Sequence, residues 1–440
     1  SKFFSIALVL PLAFPSFIIG YTYNGLFEIE GLLHRLSGIP IGFDILNMYG
    51  CIVVFALAMY PYLFIVAKSS FALLSNSVDE LVLLHNISPL KGYFKVYLPL
   101  AYPAFFIGLL LASLEVISDY GTVVYFGVET FSVAIFKQWF GYGDMDGAIN
   151  ISLALMIFVF IFLYVESKIK ERKRYESSTF SSKIADKKEL KGVKNILAFL
   201  FCFIIFFASF VLPIGVLFYW ASLDLGSIEL SLFSYAGNTL SLNIFSSMFI
   251  VFISFIVLYF GYNFKSTLSN ISHKLSMLGY SIPGAVVGVG LLLYFGNIDK
   301  MLGGYIFGGS FFVLISAYLI RFYPASAGSI LSGFSKVGSN LNSAANLYGK
   351  SETSNIFRIY FPLIKSSIFS GFLIIFIDIS KELPATLLLR PFNFDTLAVR
   401  IYELSSNEML PSVAIPSLLL LSMTIVAVLL LNLRIFKEKR

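Results

Sequence analysis

The chain has few residues of the types that build enzyme active sites. Its 440 residues include two cysteines and three histidines. Cys51 and Cys202 lie in separate apolar runs, which excludes a disulfide framework and a CxxC metal or redox motif. The histidines, at positions 34, 85 and 273, lack HExxH-like spacing, and no Gly-x-Ser-x-Gly elbow occurs. We therefore predict no catalytic residues, and the sequence leaves any metal site unknown.

Charge is also scarce. Only 13% of the residues are charged and 58% are hydrophobic, whereas a soluble domain carries about 25% charged residues. Several apolar runs reach the roughly 20 residues that a helix needs to cross a bilayer. We predict an all-α polytopic membrane protein. Its ten predicted spans lie near 3–23, 45–66, 100–118, 147–166, 195–220, 238–262, 279–296, 303–322, 363–383 and 411–433.

The positive charge is concentrated beside the predicted spans. The net charge is +6, and the segment 167–194 holds ten basic residues against four acidic ones. Such blocks mark the cytoplasmic side of a membrane protein, so they do not indicate nucleic-acid binding. We predict that 167–194 and the C-terminus are cytoplasmic. A patch that binds anionic lipid or regulates the protein is the alternative for this segment.

The sequence repeats itself. Tyr60-Pro61 matches Tyr323-Pro324 at an offset of 263, and an offset of 268 relates Pro15 to Pro283. Even span numbers per half predict two parallel repeats. We predict a first repeat at 1–166, a basic linker at 167–194 and a second repeat at 195–440. The glycines of "IPGAVVGVG" and "GGYIFGG" are expected to let helices pack closely. Further pairs at the 263 offset are Phe71/Phe334, Pro99/Pro362, Gly108/Gly371, Glu115/Asp378 and Asp119/Glu382.

The beginning of the chain supports a further expectation. Residue 1 corresponds to about residue 269 of the second repeat, which has two additional spans before that point. We expect the natural protein to begin about 75–80 residues upstream, which gives six spans per half and twelve in all. The alternative is that "SKFFSIALVLPLAFP" is a signal peptide. Its match to 269–291 argues against this alternative.

The tripeptide Gly349-Lys350-Ser351 is not a phosphate-binding loop. A Walker loop requires a glycine five residues before Gly349, where this chain has Ala344. The tripeptide belongs instead to a predicted cytoplasmic loop that occurs twice, at 80–99 and at 343–362. Each copy ends in a proline that suits the first turn of the next helix.

Both copies resemble the EAA loop of bacterial ATP-binding-cassette (ABC) importer permeases. This motif reads EAA, three residues, Gly, nine residues and Ile-x-Leu-Pro. In the family, the loop forms a coupling helix that docks on an ATPase subunit. The resemblance implies that a separate ATPase dimer holds ATP and Mg²⁺ and that this chain has no cofactor. The implied coupling positions are Glu80, Asn86, Leu98, Pro99, Ala344, Ala345, Gly349, Ile359 and Pro362, with Ser343, Leu81, Val82 and Asn86 departing from the motif.

The segments 118–140 and 381–404 resemble a narrower subgroup, the fused two-half permeases for ferric iron, thiamine and related substrates. This resemblance covers nearly the whole chain. It implies the type I ABC importer fold, a bacterial cytoplasmic membrane location, and a periplasmic or surface binding protein that delivers the substrate. The function expected on this basis is ATP-driven import of ferric iron by alternating access.

Two pairs of acidic residues indicate where a substrate passes. Glu115 and Asp119 are four residues apart, as are Asp378 and Glu382, so each pair is expected to share one helix face. Buried carboxylates in a membrane are costly unless they face water or a partner. Carboxylate oxygens suit a hard cation, and Tyr120 and Tyr125 are candidates to add phenolic oxygens. The alternative is that Asp119 and Glu382 mark helix ends in water, with Lys381 neutralising one charge.

Other functions remain open on the sequence alone. Within the family, the alternative substrate is thiamine or another cationic metabolite. From other classes, a secondary transporter can also have twelve spans in parallel repeats, and a channel is a third possibility. Neither requires two copies of an ATPase-docking loop.

Overall fold

The regular structure is helical in the part of the chain that can be described. The computed structural model describes residues 2–29, 31–38, 43–73, 78, 82, 84–85, 87–173, 191–223, 230–263, 267–335 and 356–437. Within these ranges, nine helices are long and apolar enough to cross a membrane, or ten if a bent pair near the start counts as one span. This number agrees with the ten predicted spans.

The described part of the first half contains nine α-helices. They are α1 (Lys2–Ala7), α2 (Ser16–Phe27), α3 (Leu32–Ser37), α4 (Met48–Leu73), α5 (Pro89–Gly92), α6 (Leu98–Ser118), α7 (Gly121–Tyr125), α8 (Phe131–Phe136) and α9 (Met145–Lys173). A 3₁₀ turn at Leu10–Ala13 precedes α2, and π-helical turns lie at Tyr93–Tyr97 and Lys137–Gly141.

In the second half, ten α-helices lie within the described residues. They are α10 (Val193–Phe206), α11 (Leu212–Leu223), α12 (Ser231–Asn263), α13 (Thr267–Ser276), α14 (Gly284–Leu302), α15 (Phe311–Phe334), α16 (Phe361–Lys381), α17 (Pro384–Leu389), α18 (Leu397–Ser406) and α19 (Ala414–Lys437). The 3₁₀ turns are Gly279–Ser281 and Leu410–Val413, and the π-helical turns are Phe207–Val211 and Ile356–Tyr360.

Helix boundaries repeat at the offsets read from the sequence. The offset of 263 carries α6 onto α16, and it carries the π-helical turn Tyr93–Tyr97 onto Ile356–Tyr360. The offset of 268 carries the start of α2 onto the start of α14. Thr130 and Thr396 are 266 residues apart. The side chain of each accepts a hydrogen bond from the backbone amide of the residue three positions later and so caps α8 or α18. Similar sequences at these positions therefore fold alike.

The predicted span 3–23 is a bent pair of helices rather than one straight helix. The segments Phe3–Ala13 and Ser16–Arg35 meet at 92°. Pro15 has the extended backbone that proline favours and directly precedes α2. Pro283 has the same position and an extended backbone before α14, so the repeat places a proline before both helices.

The prediction that "GGYIFGG" packs between helices is wrong. These residues form the turn between α14 and α15, and the predicted span 303–322 lies at Phe311–Phe334 instead. Gly303 adopts a φ of 72° and Gly309 a φ of 68°, conformations that favour glycine. The Asp299 carboxylate accepts the amides of Ile306, Phe307 and Gly308 and holds the turn in place.

The two halves pack against each other through several elements. Helix α11 lies against α2 of the first half and α19 of the second. The Tyr23 hydroxyl donates to the carbonyl of Ala208, and the Thr424 hydroxyl donates to the carbonyl of Ala13. The boundaries 1–166, 167–194 and 195–440 remain predictions, because residues 174–190 lie outside the described ranges.

Candidate functional site

The site is built where two long helices end. Helix α6 ends at Ser118 and α16 ends at Lys381, and the next residues, Asp119 and Glu382, have extended backbones. Each of these residues turns the chain into a short helix, α7 or α17. Their carboxylates accept amides of that short helix, which satisfies N–H groups that have no partner within the helix.

The hydrogen bonds at the two junctions are similar. The Asp119 Oδ1 atom accepts the amide of Thr122 at 2.8 Å and that of Val123 at 3.3 Å. The Glu382 Oε1 atom accepts the amide of Ala385 at 3.0 Å. The expectation that each acidic pair shares one helix face is therefore wrong, because Asp119 and Glu382 follow the last residues of their helices. Glu115 alone of the first pair lies within its helix.

The four predicted acidic residues line one cavity between the halves. Glu115 and Asp119 come from the first half, and Asp378 and Glu382 come from the second. The cavity has a volume of about 60 Å³, enough for a few water molecules, since one needs about 10–15 Å³. The sequence pairing of these residues thus corresponds to proximity in space, whereas their role in transport remains a prediction.

Both acidic residues of the second half have basic partners. Arg321, on α15, forms a buried ion pair with Glu382 through its Nη1 atom. The Lys381 Nζ atom lies 3.6 Å from the Asp378 carboxylate. Lys381 therefore neutralises Asp378 and not Glu382, and Glu382 is buried rather than in water.

The acidic residues of the first half have hydroxyl partners instead. The Glu115 carboxylate accepts the hydroxyl of Tyr280, and Tyr62 lies beside both. The Asp119 Oδ2 atom accepts the Ser16 hydroxyl at 2.5 Å. Asp119 lies just past the end of its span, and burial raises the pKa of its carboxyl while these hydrogen bonds oppose the rise.

The phenols that face Glu115 are not the two that the sequence suggested. Tyr120 lines the cavity, but its hydroxyl lies 3.0 Å from the Tyr402 hydroxyl. Tyr125 accepts a hydrogen bond from Asn24 at 2.9 Å. Tyr62 and Tyr280 were missed because their offset partners, Ala325 and Leu12, are not tyrosines, so the repeat gave no signal for them.

Arg321 was also missed, although a signal for it exists. It is the one charged residue in the apolar stretch of α15 from Phe311 to Phe334. A charged residue inside a span is a functional candidate because its burial is costly without a partner. Its acidic partner, Glu382, is 61 residues away in sequence, so only the fold brings them together.

Within the described residues, the cavity offers oxygen atoms but no cluster of metal ligands. In the described ranges, no group of three or more Asp, Glu, His or Cys side chains is arranged to hold a metal ion. Oxygen atoms of carboxylates and hydroxyls nevertheless dominate around Glu115 and Asp119, and such atoms suit hard cations. A cation passing between the halves would meet these oxygen atoms.

Most of the predicted ATPase-coupling residues lie outside the described ranges: Glu80, Asn86, Ala344, Ala345 and Gly349. Pro99 and Pro362 are the second residues of α6 and α16, and Leu98 is the first residue of α6. Ile359 lies in the π-helical turn before α16. The apolar spans begin earlier than these prolines, at Leu90 and Arg358. The role of these residues in coupling stays a prediction.

The chain is similar to known transport proteins. Residues 251–435 match the family described as "Binding-protein-dependent transport system inner membrane component". Over 440 residues the chain is 23% identical to "Fe(3+)-transport system permease protein FbpB 2" of Haemophilus influenzae (strain ATCC 51907 / DSM 11121 / KW20 / Rd). This similarity covers 99% of the chain and 83% of the relative. The aligned region therefore includes both halves of the chain.

Proposed function

We propose that the chain is an inner-membrane permease of the binding-protein-dependent ABC importers, with the type I importer fold, and that it imports ferric iron. The observation that carries this proposal is the cavity lined by Glu115, Asp119, Asp378 and Glu382 between the two halves. Ferric iron is a hard cation that prefers oxygen ligands. The name of the Haemophilus relative supports the same substrate.

The proposed mechanism is alternating access driven by a separate ATPase dimer. ATP binding closes the dimer, which pulls on the loops at 78–92 and 341–356 and rocks the halves apart on the outer side. A substrate-binding protein then releases iron into the cavity. After hydrolysis, the halves close on the outer side and open toward the cytoplasm, where the basic segment 167–194 and the C-terminus lie. ATP and Mg²⁺ act in the partner, and this chain contributes no catalytic group.

Uptake of radiolabelled ferric iron tests the proposed substrate. Cells that lack this gene are complemented with wild type or with a variant in which Glu115, Asp119, Asp378 and Glu382 are changed to Gln or Asn together. We expect wild type to restore uptake and the variant to fail at equal amounts in the membrane. Full rescue by the variant would exclude the acidic residues from the path, and the absence of any iron phenotype would exclude ferric iron.

A second experiment tests the coupling loops separately from the substrate. We expect Glu80→Lys or Gly349→Trp to abolish co-purification of the ATPase, because each disturbs a proposed docking position. Ser316→Ala is the control, since this half-buried residue donates its hydroxyl only to the Phe312 carbonyl within α15. Normal ATPase assembly and transport in both loop variants would contradict the docking assignment.

Thiamine or another cationic metabolite is the alternative substrate, because a carboxylate-lined cavity also favours an organic cation. The iron measurement distinguishes the two if labelled thiamine is used in parallel. A secondary transporter is the alternative mechanism. It would move substrate without the ATPase, so uptake that survives deletion of the ATPase gene would favour it.

A further inference from the structure

The two halves of the cavity differ in charge. The 263 offset that pairs Glu115 with Asp378 also pairs Ala58 with Arg321 and Ser118 with Lys381. All of these residues line the cavity. The second half therefore has a basic residue at two positions where the first half has a small, neutral one.

The two basic residues form ion pairs with the acidic residues of the second half. Arg321 is 5% exposed and Glu382 is 6% exposed, so this ion pair is shielded from water. A buried charge without its partner is strongly destabilising, which means that the pair is held as a unit. Lys381, 3.6 Å from Asp378, is the basic neighbour of the other acidic residue.

The acidic residues of the first half have no basic partner among the described residues. Their partners are the hydroxyls of Tyr280 and Ser16, which donate hydrogen bonds but carry no positive charge. In the described ranges, neither Glu115 nor Asp119 forms an ion pair. Four acidic and two basic residues line the cavity, which leaves a formal charge of −2, located on the first half.

A second observation concerns Arg321 itself. Its Nε atom is buried and has no hydrogen-bond partner among the described residues, although the side chain lines the cavity. A buried donor of this kind is uncommon and requires an explanation. Glu382 therefore uses only part of the hydrogen-bonding capacity of the guanidinium group, and the Nε atom is left as a donor beside the cavity.

We propose that Arg321 is a specificity-determining residue, a built-in cation that neutralises Glu382, so that a passing cation is met by Glu115 and Asp119 alone. This inference rests on the proposed function, since it concerns the same cavity and a hard cation as substrate. Two available carboxylates allow the ion to bind and leave, whereas a third would hold it longer and admit competing divalent ions. Removing the positive charge of Arg321 should therefore strengthen cation binding.

Binding of terbium to the purified full-length chain tests the proposal. Tb³⁺ is a hard trivalent cation, and its luminescence increases when nearby tyrosines such as Tyr62 and Tyr280 transfer energy to it. We expect Arg321→Ala to bind Tb³⁺ at least about tenfold more tightly than wild type, because Glu382 becomes available. Glu115→Gln should weaken binding at least about tenfold, because one of the two available carboxylates is lost.

Two further variants separate charge from folding. Arg321→Ala/Glu382→Gln removes the ion pair as a unit and should bind Tb³⁺ within about twofold of wild type. Lys137→Gln is the matched control, because it also removes the basic partner of a glutamate, Glu129, but in an exposed pair. It should leave the affinity unchanged.

Unchanged or weaker Tb³⁺ binding by folded Arg321→Ala would overturn the proposal. If that variant does not fold, the double variant decides, and a loss as large as that of Glu115→Gln would overturn the proposal. The proposed function is tested by iron uptake, which uses a different readout. Wild type that fails to import iron but shows the expected terbium pattern would refute the substrate and leave the role of Arg321 supported.

Discussion

At the scale of single residues, Gly284 allows the buried ion pair to lie against the start of α14. A Cβ atom at this position would lie 2.8 Å from Arg321 Nη1 and closer still to Glu382 Oε1. The equivalent residue of the first half is Ser16, whose hydroxyl donates to Asp119. At this position of the repeat, the first half has a serine side chain beside Asp119. The second half has glycine, which leaves room for both Arg321 and Glu382.

Gly284→Ala is predicted to destabilise the protein. The added methyl group must displace Arg321 or Glu382, and such overpacking costs about 1–3 kcal/mol. The measurement is the thermal unfolding of the purified protein in detergent, together with ferric-iron uptake. Gly290→Ala is the control on the same helix, since a Cβ there meets no atom within 4 Å. Equal melting temperatures for the two variants would contradict the close contact at Gly284.

The residues of the site were only partly predictable from sequence. The four acidic residues repeat at one offset, so their proximity followed from the repeat. Arg321 and Tyr280 do not repeat, because the halves have diverged at these positions to Ala58 and Leu12. Their contacts with Glu382 and Glu115 join residues 61 and 165 apart in sequence, and only the packing of the helices reveals them.

At the scale of helices, the repeat conceals a difference in packing. Gly108 on α6 and Gly371 on α16 are equivalent, and each faces the preceding membrane-spanning helix, α4 or α15. A Cβ at Gly108 would lie 2.9 Å from the Cα atom of Leu63, which belongs to the backbone of α4. At Gly371 the nearest atom is the Cβ of Ser329, at 3.5 Å. The first pair of helices is therefore in closer contact than the second at this position.

We predict opposite outcomes for the same substitution at these two positions. Gly108→Ala should destabilise the protein by about 1–3 kcal/mol, because a backbone must move to relieve the contact. Gly371→Ala should be neutral or slightly stabilising, since 3.5 Å is ordinary van der Waals contact and alanine favours a helix. Thermal unfolding of the two variants in detergent measures the difference. A large loss of stability in Gly371→Ala would contradict the prediction.

The helices themselves were more predictable than their breaks. Apolar length predicted the spans because a membrane imposes it. Two local features were missed for physical reasons. The bend before α2 depends on Pro15, which lies inside an apolar run, and the turn after α14 depends on Gly303, Gly309 and the Asp299 carboxylate, which hydropathy does not register.

At the scale of the whole molecule, polar contacts connect the two halves around the cavity. Tyr120 of the first half and Tyr402 of the second lie with their hydroxyls 3.0 Å apart, and Tyr280 donates to Glu115 across the same interface. Alternating access requires the halves to separate on one side of the substrate at a time. The proposed rocking motion must therefore break contacts of this kind during each transport cycle.

A cross-link between the halves is predicted to stop transport. The test uses the variant Tyr120→Cys/Tyr402→Cys, in which Cys51 and Cys202 are replaced by alanine. A short bifunctional methanethiosulfonate reagent would join the two new cysteines, since the ring centroids of the native tyrosines lie 5.6 Å apart. We expect ferric-iron uptake to fall when the link forms and to return when a reducing agent removes it.

Linking Asn24→Cys to Tyr125→Cys, whose native side chains are hydrogen-bonded within the first half, should leave uptake unchanged. Full uptake with the halves linked would show that these tyrosines stay together throughout the cycle, and the moving interface would then have to lie elsewhere.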